Sequence, residues 1–216
     1  MTWKRARSEE QIESRIREIT DATERLYEQV PFDEITFVMI ANEAGFTRSN
    51  LYKYFRTVEE VLLEILKHDL ADWRAQVAQE FERKQWSVDE FSRRWMMILL
   101  NRGRMVRLFT ILHTTIEKNS SLEKLVAFKR ETLTQWKEMA KDLTTILPFQ
   151  NEQAAFRFLF AQLAVIIGAF PMWNLTENQL EAMKIVGMDS TPNFYQDVCM
   201  EAIRSILSDY LPDETE

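Results

Sequence analysis

Residues 45–55 read GFTRSNLYKYF, a run with Arg48 and Lys53 and no acid, in a chain of 216 residues and formal net charge −7. The chemistry is that of a tight turn followed by a short helix. Gly45 suits the left-handed position that closes a helix, and Thr47 is a natural N-cap for the next one. Leu51 and Phe55, four apart, share a face, and Phe46 can close the same core. Ser49 and Lys53 point the opposite way, with Arg48 and Tyr52 on one flank and Asn50 and Tyr54 on the other. The spacing predicts that this helix runs to about Phe55. Upstream, Thr36 caps FVMIANEA, with Val38, Ile40, Ala41 and Ala44 as expected buried positions. Two short helices about a tight turn, preceded by a longer one, form a helix-turn-helix.

Working outward, the pattern stays helical. Ser8 with Gln11 predicts a capping box that opens the first helix, carrying Ile12, Ile16, Ile19 and Leu26 at helical spacing. VPFDE at 30–34 breaks it. Thr57 with Glu60 predicts a second box, opening one long helix over 58–81 or so, and Ser87 with Glu90 a third. Helices are expected after Gly103, from Ser121 to the stop at Pro148, over 151–173, and over 193–211 after a loop that holds Gly187 and Pro192. No alternating strand pattern or internal repeat occurs, and 4 Gly with 5 Pro favour long helices. The expected fold is all-α. A three-helix helix-turn-helix domain over 1–56 is joined by a long helix to a helical domain over 57–216.

Composition narrows the function. A lone Cys199 fits a reducing cytoplasm and permits no internal disulfide. The most apolar run, FRFLFAQLAVIIGAFPMWN, is interrupted by Arg157, Gln162 and Pro171 and reads as a buried helix, so no membrane partner is expected. Two histidines and one cysteine suggest no metal site, and nothing implies a cofactor. No Ser/His/Asp order, catalytic carboxylate pair or Gly-rich phosphate loop points to an enzyme.

Net charge argues against nucleic acid, yet Lys4, Arg5 and Arg7 form a basic arm, and Arg48, Lys53 and Arg56 a second cluster. A small basic footprint on an acidic body is compatible with DNA binding. Arg48 can donate two hydrogen bonds to guanine, and Asn50 can pair with adenine or a phosphate. Thr47, Tyr52, Lys53 and the helix N-terminus suit phosphate oxygens. From spacing alone, a surface helix with incidental polar residues is an equal reading.

The run FDEITFVMIANEAGFTRSNLYKYFRTVEEVLLEIL, residues 32–66, closely resembles the DNA-binding region of TetR-family transcriptional regulators. The resemblance lies in Phe32, Thr36, Ile40-Ala41, Gly45-Phe46-Thr47, Leu51-Tyr52-Lys53-Tyr54-Phe55 and Glu59-Glu60. It departs at Val58, where the family often has a phosphate-contacting Lys; Arg56 stands two residues earlier. The resemblance implies a homodimer that binds a palindromic operator as double-stranded DNA, most often as a repressor released by a small molecule. The candidate DNA-contacting set is then Thr36, Thr47, Arg48, Ser49, Asn50, Tyr52, Lys53, Tyr54 and Arg56. The resemblance also implies a dimer contact through 152–173 and 193–210, with Phe156, Phe160, Leu163, Ile167 and Phe170 as the seam, although the same stripe also reads as intramolecular core. The implied effector is apolar or aromatic, with Trp73, Trp95, Met96, Met105, Phe109, His113, Trp136, Met139 and Trp173 as candidate pocket residues. A helical adaptor that reads a protein instead of DNA is the competing class.

Overall fold

The computed structural model describes residues 2–82, 86–188 and 192–212. Ten α-helices run in order, with no strand among the described residues. They are α1 (Thr2–Tyr27), α2 (Phe37–Ala44), α3 (Arg48–Leu51), α4 (Val58–Glu80), α5 (Val88–Leu100), α6 (Gly103–Ile111), α7 (Leu122–Ile146), α8 (Glu152–Trp173), α9 (Glu177–Ile185) and α10 (Pro192–Ser208). A π-helical turn at Leu112–Ile116 and a 3-10 turn at Glu117–Asn119 separate α6 from α7.

The chain forms two compact units, Met1–His68 with Leu112–Arg130, and Asp69–Ile111 with Glu131–Glu216. In the first, α1 packs on α2 and α2 on α3, around Ile19, Ile40, Leu51 and Phe55, each at most 1% exposed. α1 begins at Thr2, so the predicted cap at Ser8 does not open it. The basic arm is therefore helical in its backbone, while the side chains of Lys4, Arg5 and Arg7 lie outside the described ones. Ile12 is 47% exposed, lying outside the face that α1 buries.

The turn behaves as its residues require. Thr36 Oγ1 accepts from Met39 N–H at 3.3 Å and Thr47 Oγ1 from Asn50 N–H at 3.3 Å. Gly45 has φ 67°. Phe46 N–H donates to Ala41 O at 2.8 Å and Gly45 N–H to Asn42 O at 3.3 Å, the paired bonds of a Schellman stop. An added Cβ at Gly45 would meet open space, so the cost of Gly45→Ala is backbone strain alone. Urea unfolding should show a loss of about 1 kcal/mol, and Gly45→Asn should lose less because Asn tolerates the left-handed region.

Three local expectations need correction. Val38 is 50% exposed, and Ile35 and Phe37 take the buried positions on either side of Thr36 instead. Phe46 is only half-buried, with the Arg15 guanidinium 5.3 Å from its ring centroid. α3 is a single α-turn ending at Leu51. Beyond it the chain tightens, with Lys53 N–H bonded to Asn50 O and Tyr54 N–H to Leu51 O, before Phe55 reaches Leu51 O.

The second unit is built on α8, which packs against α10 and α6, while α10 also packs on α5. The Ser87–Glu90 capping box opens α5 as expected. Phe158, Leu159, Gln162 and Ile166 of α8 are at most 1% exposed. Over 152–172 the same helix has the length and hydropathy, 1.7, of a membrane span. Its buried face makes it a packing helix of this unit, but Phe160 at 46% and Met172 at 49% exposure leave an apolar face uncovered. The segment read as a loop before Pro192 contains α9, opened by a capping box between Thr176 and Gln179. No residue of α9 is buried.

Candidate nucleic-acid interface

The candidate residues on α3 form an ordered edge. Arg48 Nη2 donates to Tyr52 Oη at 2.9 Å, and the guanidinium carbon lies 5.5 Å from the Tyr52 ring centroid. Tyr52 in turn stacks on Phe37, centroids 5.0 Å apart and planes 9° apart. Arg48 is thus tied to the Tyr52 hydroxyl and Tyr52 is stacked on Phe37, a chain of contacts that limits the rotamers of the arginine before any ligand arrives. Thr47, Ser49, Lys53 and Arg56 are exposed, and Asn50 and Tyr54 are half-buried. Thr36 is exposed at the head of α2, and its hydroxyl, like that of Thr47, accepts a cap bond and retains its proton for donation outward.

Behind this edge lies a buried carboxylate, that of the Glu60 expected to close a capping box with Thr57. Glu60 is 1% exposed. Its Oε2 accepts from Arg56 N–H at 2.6 Å and its Oε1 from Ser121 N–H at 3.1 Å. Thr57 Oγ1 accepts from Glu60 N–H at 3.2 Å, the expected half of a capping box, and donates to Asn119 O at 3.0 Å. Lys124 Nζ sits 4.6 Å from the Phe55 ring centroid. The turn leaving α3 is therefore fastened to residues 119–124. Burial pushes the Glu60 carboxyl up, but hydrogen bonds from Arg56 and Ser121 and the Lys124 charge outweigh it and hold the group below the ordinary carboxylate range. A groove of about 330 Å³ beside α3 is lined by Lys53, Arg56 and Lys124 among others, so a third cation joins the two expected from sequence. Val58 is half-buried at the start of α4.

The candidate effector residues divide. Trp73, Trp95, Met96, Met105, Phe109, Trp136 and Met139 are all buried in the second unit. His113 is not with them: it lies on the π-helical turn of the first unit, exposed, its Nδ1 3.2 Å from Glu117 Oε2. The helix expected after Gly103 ends at Ile111, and the π-helical turn that follows carries His113 away from the second unit's core residues. The Trp173 side chain lies outside the described ones. Among the described residues no group of three His, Cys, Asp or Glu is arranged to hold a metal ion.

Comparison with known proteins now decides the family. A profile described as "Bacterial regulatory proteins, tetR family" matches residues 19–65, and one described as "Tetracyclin repressor-like, C-terminal domain" matches 67–208. The chain belongs to the TetR family. It is a transcriptional regulator with a DNA-binding helix-turn-helix and a C-terminal domain of the ligand-binding kind. A crystal structure of a protein from Mesorhizobium loti, described as a TetR-family transcriptional regulator, is 15% identical with a TM-score of 0.56. That match covers 93% of this chain and 98% of the other, and at that identity it shows the fold. SmeT, the repressor of the Stenotrophomonas maltophilia multidrug efflux pump SmeDEF, is 20% identical over 92% of this chain and 91% of its own, with a TM-score of 0.44. No curated protein matches the chain. Within the TetR profile match, the Glu60 fastening had one legible signal, the acidic start of α4; its partner Ser121 is 61 residues away.

Proposed function

We propose that this TetR-family regulator is a cytoplasmic homodimeric repressor that leaves a palindromic operator when a small apolar or aromatic effector binds its C-terminal domain. The observation that carries the reading is the outward edge of α3, where Arg48 is held against Tyr52 while Ser49 and Lys53 stay exposed. Arg48 and Asn50 read base edges in the major groove. Thr36, Thr47, Ser49, Tyr52, Lys53, Tyr54 and Arg56 hold phosphates and set the register. One short helix reads too few base pairs for useful specificity, which favours a pair.

The uncovered face of α8 supports that pair. Phe156, Phe160 and Ile167 lie at i, i+4 and i+11, Phe160 being 46% exposed and the other two half-buried. Phe194 and Val198 add exposed apolar surface on α10, 53% and 46% exposed. Leu163 and Phe170 of the expected seam are buried within the unit and act as its backing. An effector releases DNA only if it binds the DNA-incompetent conformation more tightly, and α4, which continues from the first unit into the second, is the element that carries the change.

Selection of bound fragments from a random DNA pool supplies the operator for the test. On it, Arg48→Ala should relax sequence preference at one position by about 1–3 kcal/mol. Lys53→Ala should weaken all DNA sites alike and lower the salt slope by about 1. Unchanged binding in both variants would remove α3 as the reading element.

A further inference from the structure

Two buried indoles lie side by side in the second unit, and the chain treats them differently. Trp95 Nε1 donates to Gln162 Oε1 at 3.3 Å, and Gln162 Nε2 donates to Leu159 O at 2.9 Å, so a buried amide serves that indole. Trp73 is 5.4 Å from Trp95, ring to ring, and equally buried at 0% exposure. Its Nε1–H has no acceptor among the described residues. A buried donor without a partner is costly, and such groups are rare in folded proteins. Trp136 stands edge-on to Trp73 at 5.7 Å, so the unpartnered donor belongs to an aromatic cluster.

We propose that Trp73 Nε1–H is the polar reader of the effector site. The effector class is then a flat aromatic molecule with one hydrogen-bond acceptor, a carbonyl oxygen or ring nitrogen, lying among Trp73, Trp95 and Trp136. This rests on the reading of the C-terminal domain as the seat of the effector and adds to it the chemistry that is recognised. The aromatic faces supply attraction without selectivity, and the single donor rejects pure hydrocarbons of the same outline.

The site opens on binding. Among the described residues these three tryptophans line no open cavity; the nearest by chain is one of about 10 Å³ lined by Met96, Leu99, Leu100, Val106, Ile166 and Phe170, room for one water at most. Met96, Met105 and Met139 are buried in this unit, and methionine repacks at low cost. A ligand that selects an opened core acts on a minor conformation, as an effector that shifts a population must.

The test uses methyl naphthyl ketone and isopropenylnaphthalene, planar molecules of one outline that differ in C=O against C=CH2. Equilibrium dialysis of the full chain should give about tenfold tighter binding of the ketone, the equivalent of one net hydrogen bond. Trp73→Phe should erase the difference between the two probes, whatever it does to the affinity they share. Equal affinities in the unsubstituted protein, a ketone preference that survives Trp73→Phe, or binding of neither probe would each overturn the proposal. If Trp73→Phe does not fold, the two probes on the unsubstituted protein decide alone. Failure to bind operator DNA would overturn the regulator reading instead, whatever the probes do.

Discussion

Replacing Glu60 by Ala should destabilise the protein by about 3 kcal/mol, roughly 10 °C in Tm for a chain this long. The carboxylate is buried and accepts from the backbone N–H groups of Arg56 and Ser121. Its removal leaves two donors without their charged acceptor, and bonds to ionised groups are the stronger kind. Operator affinity should fall with stability, because the turn that follows α3 loses the bond at Arg56 and its fastening to residues 119–124. Glu60→Gln separates charge from size, since the amide keeps one acceptor and turns a donor toward a donor. The pH dependence has a fixed direction. Glu60 is held below the ordinary carboxylate range in the folded chain, so its contribution is complete above that range and disappears as pH falls through the depressed folded value. The gap in stability between the unsubstituted protein and Glu60→Gln should therefore close toward acid pH. Urea titrations across pH check this, and a gap that widened on acidification would mean that the carboxylate is not the acceptor described.

The second large effect is expected at Phe160. The ring is 46% exposed on α8 and packs at a tilt on Trp136, centroids 5.2 Å apart, and on Phe156, 5.0 Å apart. Phe160→Glu puts a charge in the middle of the proposed seam while leaving the buried face of the helix intact. Sedimentation should show monomers, and operator affinity should fall at least 100-fold, because two linked reading heads gain about that factor or more from effective concentration. Met97→Glu is the control: Met97 is 52% exposed on α5 and should leave both assembly and binding unchanged. A dimeric Phe160→Glu protein would shift the contact away from this face of α8.

The reading head was legible because its determinants are local. Gly45, Thr47, Leu51 and Phe55 act within one or two turns of chain, and their spacing determines what they do. The failures share a physical cause, which is that the competing interaction lies far away in sequence or that a signal was outweighed. Ser8 has a capping side chain, but the helix propensity of the residues before it carries α1 back to Thr2. Gly187 and Pro192 suggested a loop and hid the Thr176–Gln179 capping box that opens α9. Glu60 looks like an ordinary acidic first-turn residue, and only the return of residues 119–124 turns it into a buried fastening. On α8, period alone marks Phe156, Phe160, Leu163, Ile167 and Phe170 as apolar. It does not separate Leu163 and Phe170, which are buried, from Phe160, which is exposed. Trp73 and Trp95 are indistinguishable as letters, and the difference between them is whether Gln162 reaches the ring nitrogen.

In the proposed function an acidic chain reads DNA through one small basic edge. The direct measurement is a salt titration of the 216-residue chain on its selected operator and on random DNA of equal length. Log affinity should fall linearly with log salt on both, as phosphate contacts release counterions. The operator should stay tighter by about a thousandfold or more at physiological salt. No DNA retained at the lowest salt, or equal affinity for the two sequences, would contradict the account.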